Sequence, residues 1–404
     1  MVRPGTFTGQ LDRLASFSRT DPDTQGVTRL PFTPEQEEAA RWLAEQMDAL
    51  GMSPVIDPCG TVAGTVPGER EEVLVLGSHY DSVPNGGRYD GCAGIIAALE
   101  VVRRLAQAGE RPRYSLMVMA LNDEEGVRLT EGFLSSRTVC AGLSAGDRER
   151  IQDRMSGKSL GELLDASPFQ GTLIRLPENA RAYLEFHVEQ GPVLDQQGLS
   201  AAIVDRIVGV YHCFYQLDGG QNHAGTTPMG SRADPVPVFG RIAAQLPDVA
   251  KAHPGSVATI GWMEVQPNVP NVIPGRLAFS VDLRSADPEV LDRLKLETDL
   301  LVRNHAAQAG LSVARTDSTS AAPVVMDPAM RGLLERCVAR RGLPVFHMDS
   351  GAGHDAQIFA QVLPAAMLFA PSRGGASHCQ EEFTLEADLQ LACDLLYAFV
   401  KEDF

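Results

Sequence analysis

Four short stretches combine imidazole, carboxylate and glycine in patterns that suit the chemistry of a divalent cation. GSHYDSVPNGGRYDG places His79 and Asp81 close together, with Asp90 eleven residues beyond His79. Imidazole and carboxylate are natural zinc ligands, and the glycines between them let a loop fold tightly enough for a carboxylate to reach a shared ion. LNDEEG offers Asp123, Glu124 and Glu125 in succession. Neighbouring side chains on an extended chain point in different directions, so one carboxylate can ligate a cation while the next faces water as a general base. LEFHVEQGPVL puts His187 and Glu189 on one face of an apolar strand, and PSRGGASHCQEE carries His378 in a loop of small residues. Each stretch also has a plainer reading: a capped turn, a solvated acidic loop, a satisfied core histidine, a surface loop.

Regular elements must hold such loops in place. Glu35 to Leu50 carries apolar residues at helical spacing and stops at Gly51, which predicts an amphipathic helix. Val73 to Leu76 reads as a buried strand, Cys92 to Gln107 as a helix and Tyr114 to Leu121 as a further strand. Ala366 to Ala370 is another strand candidate, and Leu385 to Val400 a terminal helix. Buried strands alternating with helices predict an α/β layer structure, whose functional residues gather in loops beyond the carboxyl ends of the strands. Near Val208 the character changes. Val208 to Leu217, Val257 to Val265 and Arg276 to Leu283 read as strands, and Asp234 to Leu246 and Pro288 to Ala309 as helices. Residues 208–317 are expected to form an inserted α+β module, and residues 1–207 with 318–404 a discontinuous main domain.

The composition, 44% hydrophobic and 22% charged over 404 residues, is that of a globular protein whose core needs no disulfide staple. The balance of 35 Lys and Arg against 52 Asp and Glu gives a net charge of -17, with no local basic patch. That charge excludes nucleic acid and anionic lipid as partners. Seven cysteines are scattered and never spaced as CxxC, which argues against a thiolate zinc knuckle and fits a reducing compartment. No window approaches the roughly 20 apolar residues of a membrane span, and a cytoplasmic location is expected.

In order and spacing, the motifs from residue 77 to residue 382 resemble the aminoacylase and carboxypeptidase superfamily of dinuclear zinc hydrolases. Within it, they resemble the branch of N-carbamoyl-L-amino acid hydrolases and allantoate amidohydrolases. His187 stands where peptidases of the superfamily usually carry an acid, and the wording EFHVEQG is similar to the carbamoylase side. The resemblance implies a catalytic domain with a mixed sheet flanked by helices, and an inserted ferredoxin-like domain acting as lid and dimer contact. It implies two divalent ions per subunit, one held by His79, Asp90 and His187, the other by Asp90, Glu125 and His378. Zinc is favoured by the imidazoles, while manganese, cobalt and nickel accept the same mixed donors.

Further roles follow from the resemblance. Glu124 would be the general base, and Asp81 would accept from the imidazole N–H of His79 and fix its tautomer. QNHAGTTPM resembles the lid motif, implying that His223 donates to the oxyanion in the active site of a partner subunit of a homodimer. Asn271 in PNVPNVIPG and Arg284 in VDLRS resemble residues that grip the substrate's polar backbone and carboxylate. Gln190 and Gly353 match substrate-contacting positions. His354 and Asp355 are either functional or caps of a helix that starts there. In GVRLTEGFLSSRTVCAG, which departs from the relatives' pattern, Leu129 and Phe133 either line a side-chain pocket or belong to the core. The expected substrate is a small ureido compound bearing a carboxylate. An N-carbamoyl-L-α-amino acid leads, allantoate is the alternative, and β-ureidopropionate and ureidoglycolate stand behind them. A metallopeptidase or aminoacylase is the rival enzyme, and a non-catalytic binding module would require a lost ligand or base.

Overall fold

The computed structural model describes residues 6–19 and 25–404. The chain divides into two compact units. One comprises the described residues up to Asp205 with Met326–Met348 and His354–Phe404; the other comprises Arg206–Val325 and Asp349–Gly353.

The first unit is built on a mixed sheet flanked by helices. Its strand order is Val55–Ile56, Val62–Val66, Tyr114–Leu121, Arg70–His79, Ala180–Val188, Ala365–Ala370 and Ala202–Ile207. The four strands from Tyr114–Leu121 to Ala365–Ala370 run parallel, and the outer ones pair antiparallel. Parallel strands covered on both faces read as unbroken apolar runs, as Val73–Leu76 and Ala366–Ala370 do. Val73–Leu76 is only the middle of its strand, because Gly77, Ser78 and His79 continue it to the site end. The helix Cys92–Ala108 lies on these strand ends and is buried at every residue from Cys92 to Val102. Gly94 makes this contact feasible: a Cβ there would meet the Phe186 carbonyl oxygen at 2.2 Å and Ser78 Cβ at 2.7 Å. The helices Phe7–Ala15 and Glu386–Ala398 cover its outer side.

The chain between the acidic stretch and the Ala180–Val188 strand makes a small helical layer, Leu134–Ala141, Ala145–Arg150 and Leu160–Asp165. Its core is Cys59, Leu129, Leu134, Ile151, Leu160, Leu163 and Leu164. Leu129 is fully buried in that core; Phe133, half-buried with φ 60°, opens the first of these helices. Arg128 anchors the layer. Its guanidinium donates to the carbonyls of Pro31 and Phe32 at 2.6 and 2.8 Å and to Asp153 at 2.9 Å.

The second unit is α+β. Its antiparallel sheet runs Met263–Gln266, Arg276–Ser285, Gly209–Asp218 and Ser312–Ala321, with Val257–Thr259 also paired to Arg276–Ser285. Tyr211, Cys213, Tyr215 and Leu217 alternate inward and pack with Ile242, Leu246, Leu294 and Val302 from the helices Pro235–Lys251 and Pro288–Gln308. Three elements differ from expectation. Val257 to Val265 is two strands, because the Ser280 hydroxyl takes the Trp262 N–H at 3.0 Å and interrupts the ladder. The first helix continues past Leu246 through Pro247, its last turn held by buried Ala250. Ser312–Ala321, exposed along most of its length, carries no apolar alternation that would reveal a strand. Among the described residues, no helix is long and apolar enough to cross a membrane.

The Arg128 anchor has a pH signature. Burial pushes the Asp153 carboxyl up, but Arg128, the Ser156 hydroxyl and the Met155 N–H outweigh it and hold it at about 2, against an ordinary 3.8. A carboxyl held lower in the folded state than in the unfolded one stabilises the fold above its ordinary value, and that stabilisation is lost as pH falls through its folded value. We predict that Arg128→Met destabilises the protein most near neutral pH, and that the gap from wild type narrows as pH falls from about 4 toward 2. Urea unfolding at a series of pH values checks this; a gap that stays constant between pH 6 and 3 would contradict it.

Candidate functional site

The loops beyond the carboxyl ends of the parallel strands bring five donors of the first unit into two groups that share Asp90. His79 ends its strand, His187 lies one residue before the end of the next, and Asp90 precedes the helix Cys92–Ala108. His79 Nε2 and His187 Nε2 are each 3.2 Å from Asp90 Oδ1 and 3.4 Å from one another. On the other side, His378 Nε2 is 3.4 Å from Asp90 Oδ2 and 3.5 Å from Glu125 Oε2. The histidines and the aspartate of the first group are buried, whereas the His378 side chain is 48% exposed.

The ring nitrogens can be assigned from their partners. His79 Nδ1 faces the Asp81 carbonyl at 3.2 Å and His187 Nδ1 faces the Val188 carbonyl at 2.8 Å, so both Nδ1 atoms are donors. Each Nε2 is then left as an acceptor, and the Gly91 N–H donates to that of His187 at 3.0 Å. Asp90 Oδ1, buried and without a hydrogen-bond partner, completes a triangle of acceptors. Ligands roughly 2.0–2.1 Å from a tetrahedral centre lie about 3.3 Å apart, so the first group has the spacing and donor chemistry of a zinc-type site.

The acids around these groups are arranged by backbone contacts. Asp81 Oδ1 lies 3.6 Å from His79 Nδ1, beyond hydrogen-bond reach, and its two oxygens accept the N–H groups of Glu124 at 3.1 Å and Glu125 at 3.3 Å. The Asp81 backbone carbonyl is nearer to the His79 ring nitrogen than the Asp81 carboxylate is, and that carboxylate also holds the acidic loop. Asp123 stands at φ 61° with both oxygens buried and unpartnered; Glu124 is buried with Oε2 3.9 Å from His79 Nε2. Burial, with Glu125, Asp355 and Asp81 nearby, pushes the Glu124 carboxyl well up, against the pull of His79. Burial and Asp90 push Glu125 up to about 7. Burial draws His79 down, but Glu124, Asp81 and Asp90 outweigh it and hold the ring well above its ordinary value. Asp90 holds His378 at about 9.

Gln190, at φ 60°, turns its amide onto the centre: Nε2 donates to Asp90 Oδ2 at 2.7 Å, and the Ser372 hydroxyl accepts its backbone N–H at 3.0 Å. Glu189 stays outside the donor groups and accepts the N–H groups of Val193 and Leu194, capping the next helix. His354 makes no side-chain cap. Burial keeps it neutral, with its ring edge-on to His187 at 4.6 Å. Asp355 is buried and pushed up to about 8 by burial and Glu185. Glu185, which sequence reasoning missed, takes the Ser78 hydroxyl at 2.8 Å and the Ala356 N–H at 2.9 Å. The alternation that picks out His187 and Glu189 also includes it.

His223, Asn271, Arg284 and Gly353 belong to the second unit. His223 Nδ1 accepts the N–H groups of Gly225 and Thr226 at 3.0 and 3.2 Å, leaving the proton on Nε2. Asn271 sits beside it, its carbonyl accepting the Ala224 N–H at 3.1 Å. Arg284 pairs with Asp282 at 2.9 and 3.3 Å and donates to the Gly351 carbonyl at 3.0 Å, in the short segment that also carries Gly353.

Similarity to known proteins extends over nearly the whole chain. It is 35% identical over 381 residues to the allantoate amidohydrolase of Bacillus subtilis (strain 168), covering 92% of each. It is 35% identical over 402 residues to the N-carbamoyl-L-amino-acid amidohydrolase of Paenarthrobacter aurescens, covering 97% of this chain and 96% of that one. The crystal structure of a hydantoinase/carbamoylase family amidase from Burkholderia multivorans superposes with a TM-score of 0.89 at 31% identity, over 98% of this chain and 96% of the other. Residues 75–402 match the family described as peptidase family M20/M25/M40, and the chain belongs to that family.

Proposed function

We propose that this chain hydrolyses the ureido C–N bond of an N-carbamoyl-L-α-amino acid, giving the amino acid, carbon dioxide and ammonia. The observation that carries the reading is the pair of donor groups joined through Asp90. His79, Asp90 and His187 hold one divalent ion and Asp90, Glu125 and His378 the other, zinc being favoured and manganese, cobalt and nickel compatible. Such ions, when bound, supply Lewis acidity that acidifies water and polarises the carbonyl under attack.

The remaining steps fall to side chains of the protein. Glu124 takes the proton from the attacking water and returns it to the leaving nitrogen. Asp81 supports this by fixing the backbone of Glu124 and Glu125. His223 donates from Nε2 to the developing oxyanion in the partner subunit of a homodimer formed through the second unit, which also acts as a lid. Arg284 takes the substrate carboxylate in its two-pronged fork, and Gln190, Asn271 and Gly353 complete the contacts. None of the seven cysteines, all of them among the described residues, is in a disulfide, which supports a reducing, cytoplasmic setting. Allantoate is the second reading, supported by the relatives bearing that name; it shares the ureido group and the carboxylate.

Two measurements test this. Ammonia release across a panel of N-carbamoyl amino acids, allantoate, β-ureidopropionate, dipeptides and N-acetyl amino acids should be fastest with the first class, abolished by chelation and restored by Zn2+ or Mn2+. Allantoate turnover with inert N-carbamoyl amino acids would transfer the assignment to the second reading. Glu124→Gln should lower kcat by about 10²–10⁴-fold with two ions still bound per chain; unchanged turnover would remove Glu124 from its role.

A further inference from the structure

One buried carboxylate outside the donor groups joins the loop that carries Asp90 to the loop that carries His378. Glu382 is 4% exposed. Its Oε2 accepts the N–H of Tyr89 at 2.8 Å and that of Asp90 itself at 3.2 Å. The Ser377 hydroxyl, next to His378, lies 3.4 Å from Glu382 Oε1 and 3.2 Å from Asp90 Oδ2. The neighbouring backbone is cut to fit this carboxylate. A Cβ at Gly87 would meet Glu382 Oε2 at 1.9 Å and its Cδ at 2.2 Å, and the Tyr89 ring stands edge-on to Phe383 at 6.0 Å.

We propose that Glu382 is a positioning residue that ties these two loops together and so sets the spacing at which one aspartate serves two cations. The proposal rests on the two-ion reading above. For Asp90 to face His79 and His187 with one oxygen and His378 with the other, its backbone must be fixed relative to a histidine far away in sequence. Both N–H groups that fix it end on one oxygen of Glu382, four residues after His378. A carboxylate buried beside Asp90 is electrostatically unfavourable, and its N–H partners offset that only while the two loops stay joined.

The test uses metal-free full-length protein titrated with Mn2+, the free ion being read by electron paramagnetic resonance, and urea unfolding in chelator. Wild type should take up two ions per chain. Glu382→Ala and Gly87→Ala, which remove or displace the carboxylate, should keep one ion near wild-type affinity and bind the other about 10–100-fold more weakly. Glu382→Gln, which preserves volume and one acceptor, should fall between. Selective loss of one ion with a metal-free unfolding curve like wild type supports positioning. Two ions bound with wild-type affinity by all variants overturns it, as does equal weakening of both ions in step with lower metal-free stability. Wild type taking up fewer than two ions overturns the two-ion reading itself, and the proposal falls with it.

Discussion

Asp90 Oδ1, His79 Nε2 and His187 Nε2 are held within 3.4 Å of one another, all buried and all presenting lone pairs. In a medium of low polarity such an arrangement is repulsive unless positive charge sits among the acceptors. Without ions the chain meets this need with protons. Burial draws the His187 ring down, yet Asp90 outweighs it and holds the ring above its ordinary value, while the imidazoles hold Asp90 well below its own against the opposing push of burial. Cations at the same place do this without drawing on the proton supply. The surrounding acids extend the same logic, because Glu124 is held up by burial and by Glu125, Glu125 by burial and by Asp90, and a nearby positive charge relieves both.

The scaffold separates what must be regular from what must be strained. Four parallel strands, apolar on both faces, end at the same edge and deliver every loop of the centre from there. The strain lies in the loops themselves: Asp123 at φ 61°, Gln190 at 60° and His378 at 56° adopt the left-handed region, and Gly91 at 60° allows the chain to pass close to the His79 ring. A non-glycine residue in that region costs about 1–2 kcal/mol. Three such residues at one centre show that the fold spends stability to aim these side chains, and the buried helix Cys92–Ala108 supplies packing that offsets it.

The parts legible in the sequence were those with one strong physical signal. Apolar runs revealed the parallel strands because those strands are buried on both faces, and mixed imidazole and carboxylate stretches marked the loops after them. Glu382 looks like solvated surface because it ends its motif, and Glu185, though on the face of His187 and Glu189, has no partner in its own segment; their contacts are with N–H groups of Ala356, Tyr89 and Asp90, which only the folded chain brings near. The second task of Asp81 is not legible either: spacing places its carboxylate near His79 but cannot show that it also accepts the N–H groups of Glu124 and Glu125. Ser312–Ala321 was invisible because its outer residues are polar and its pairing partner lies far away along the chain.

The second unit shows a different limit. His223 and Asn271 lie among exposed or half-exposed residues, where periodicity carries no message, and Arg284 is a half-buried position of an alternating strand; only the family resemblance singles the three out. Their geometry still says something about recognition. Arg284 already holds a carboxylate, that of Asp282, in a partly exposed pair. Such pairs contribute about 0–1 kcal/mol, so on the proposed reading exchanging Asp282 for a substrate carboxylate costs little. On that reading, an arginine occupied in this way discriminates by geometry more than by charge: a ligand wins only when its carboxylate fits the guanidinium fork at least as well as that of Asp282 does.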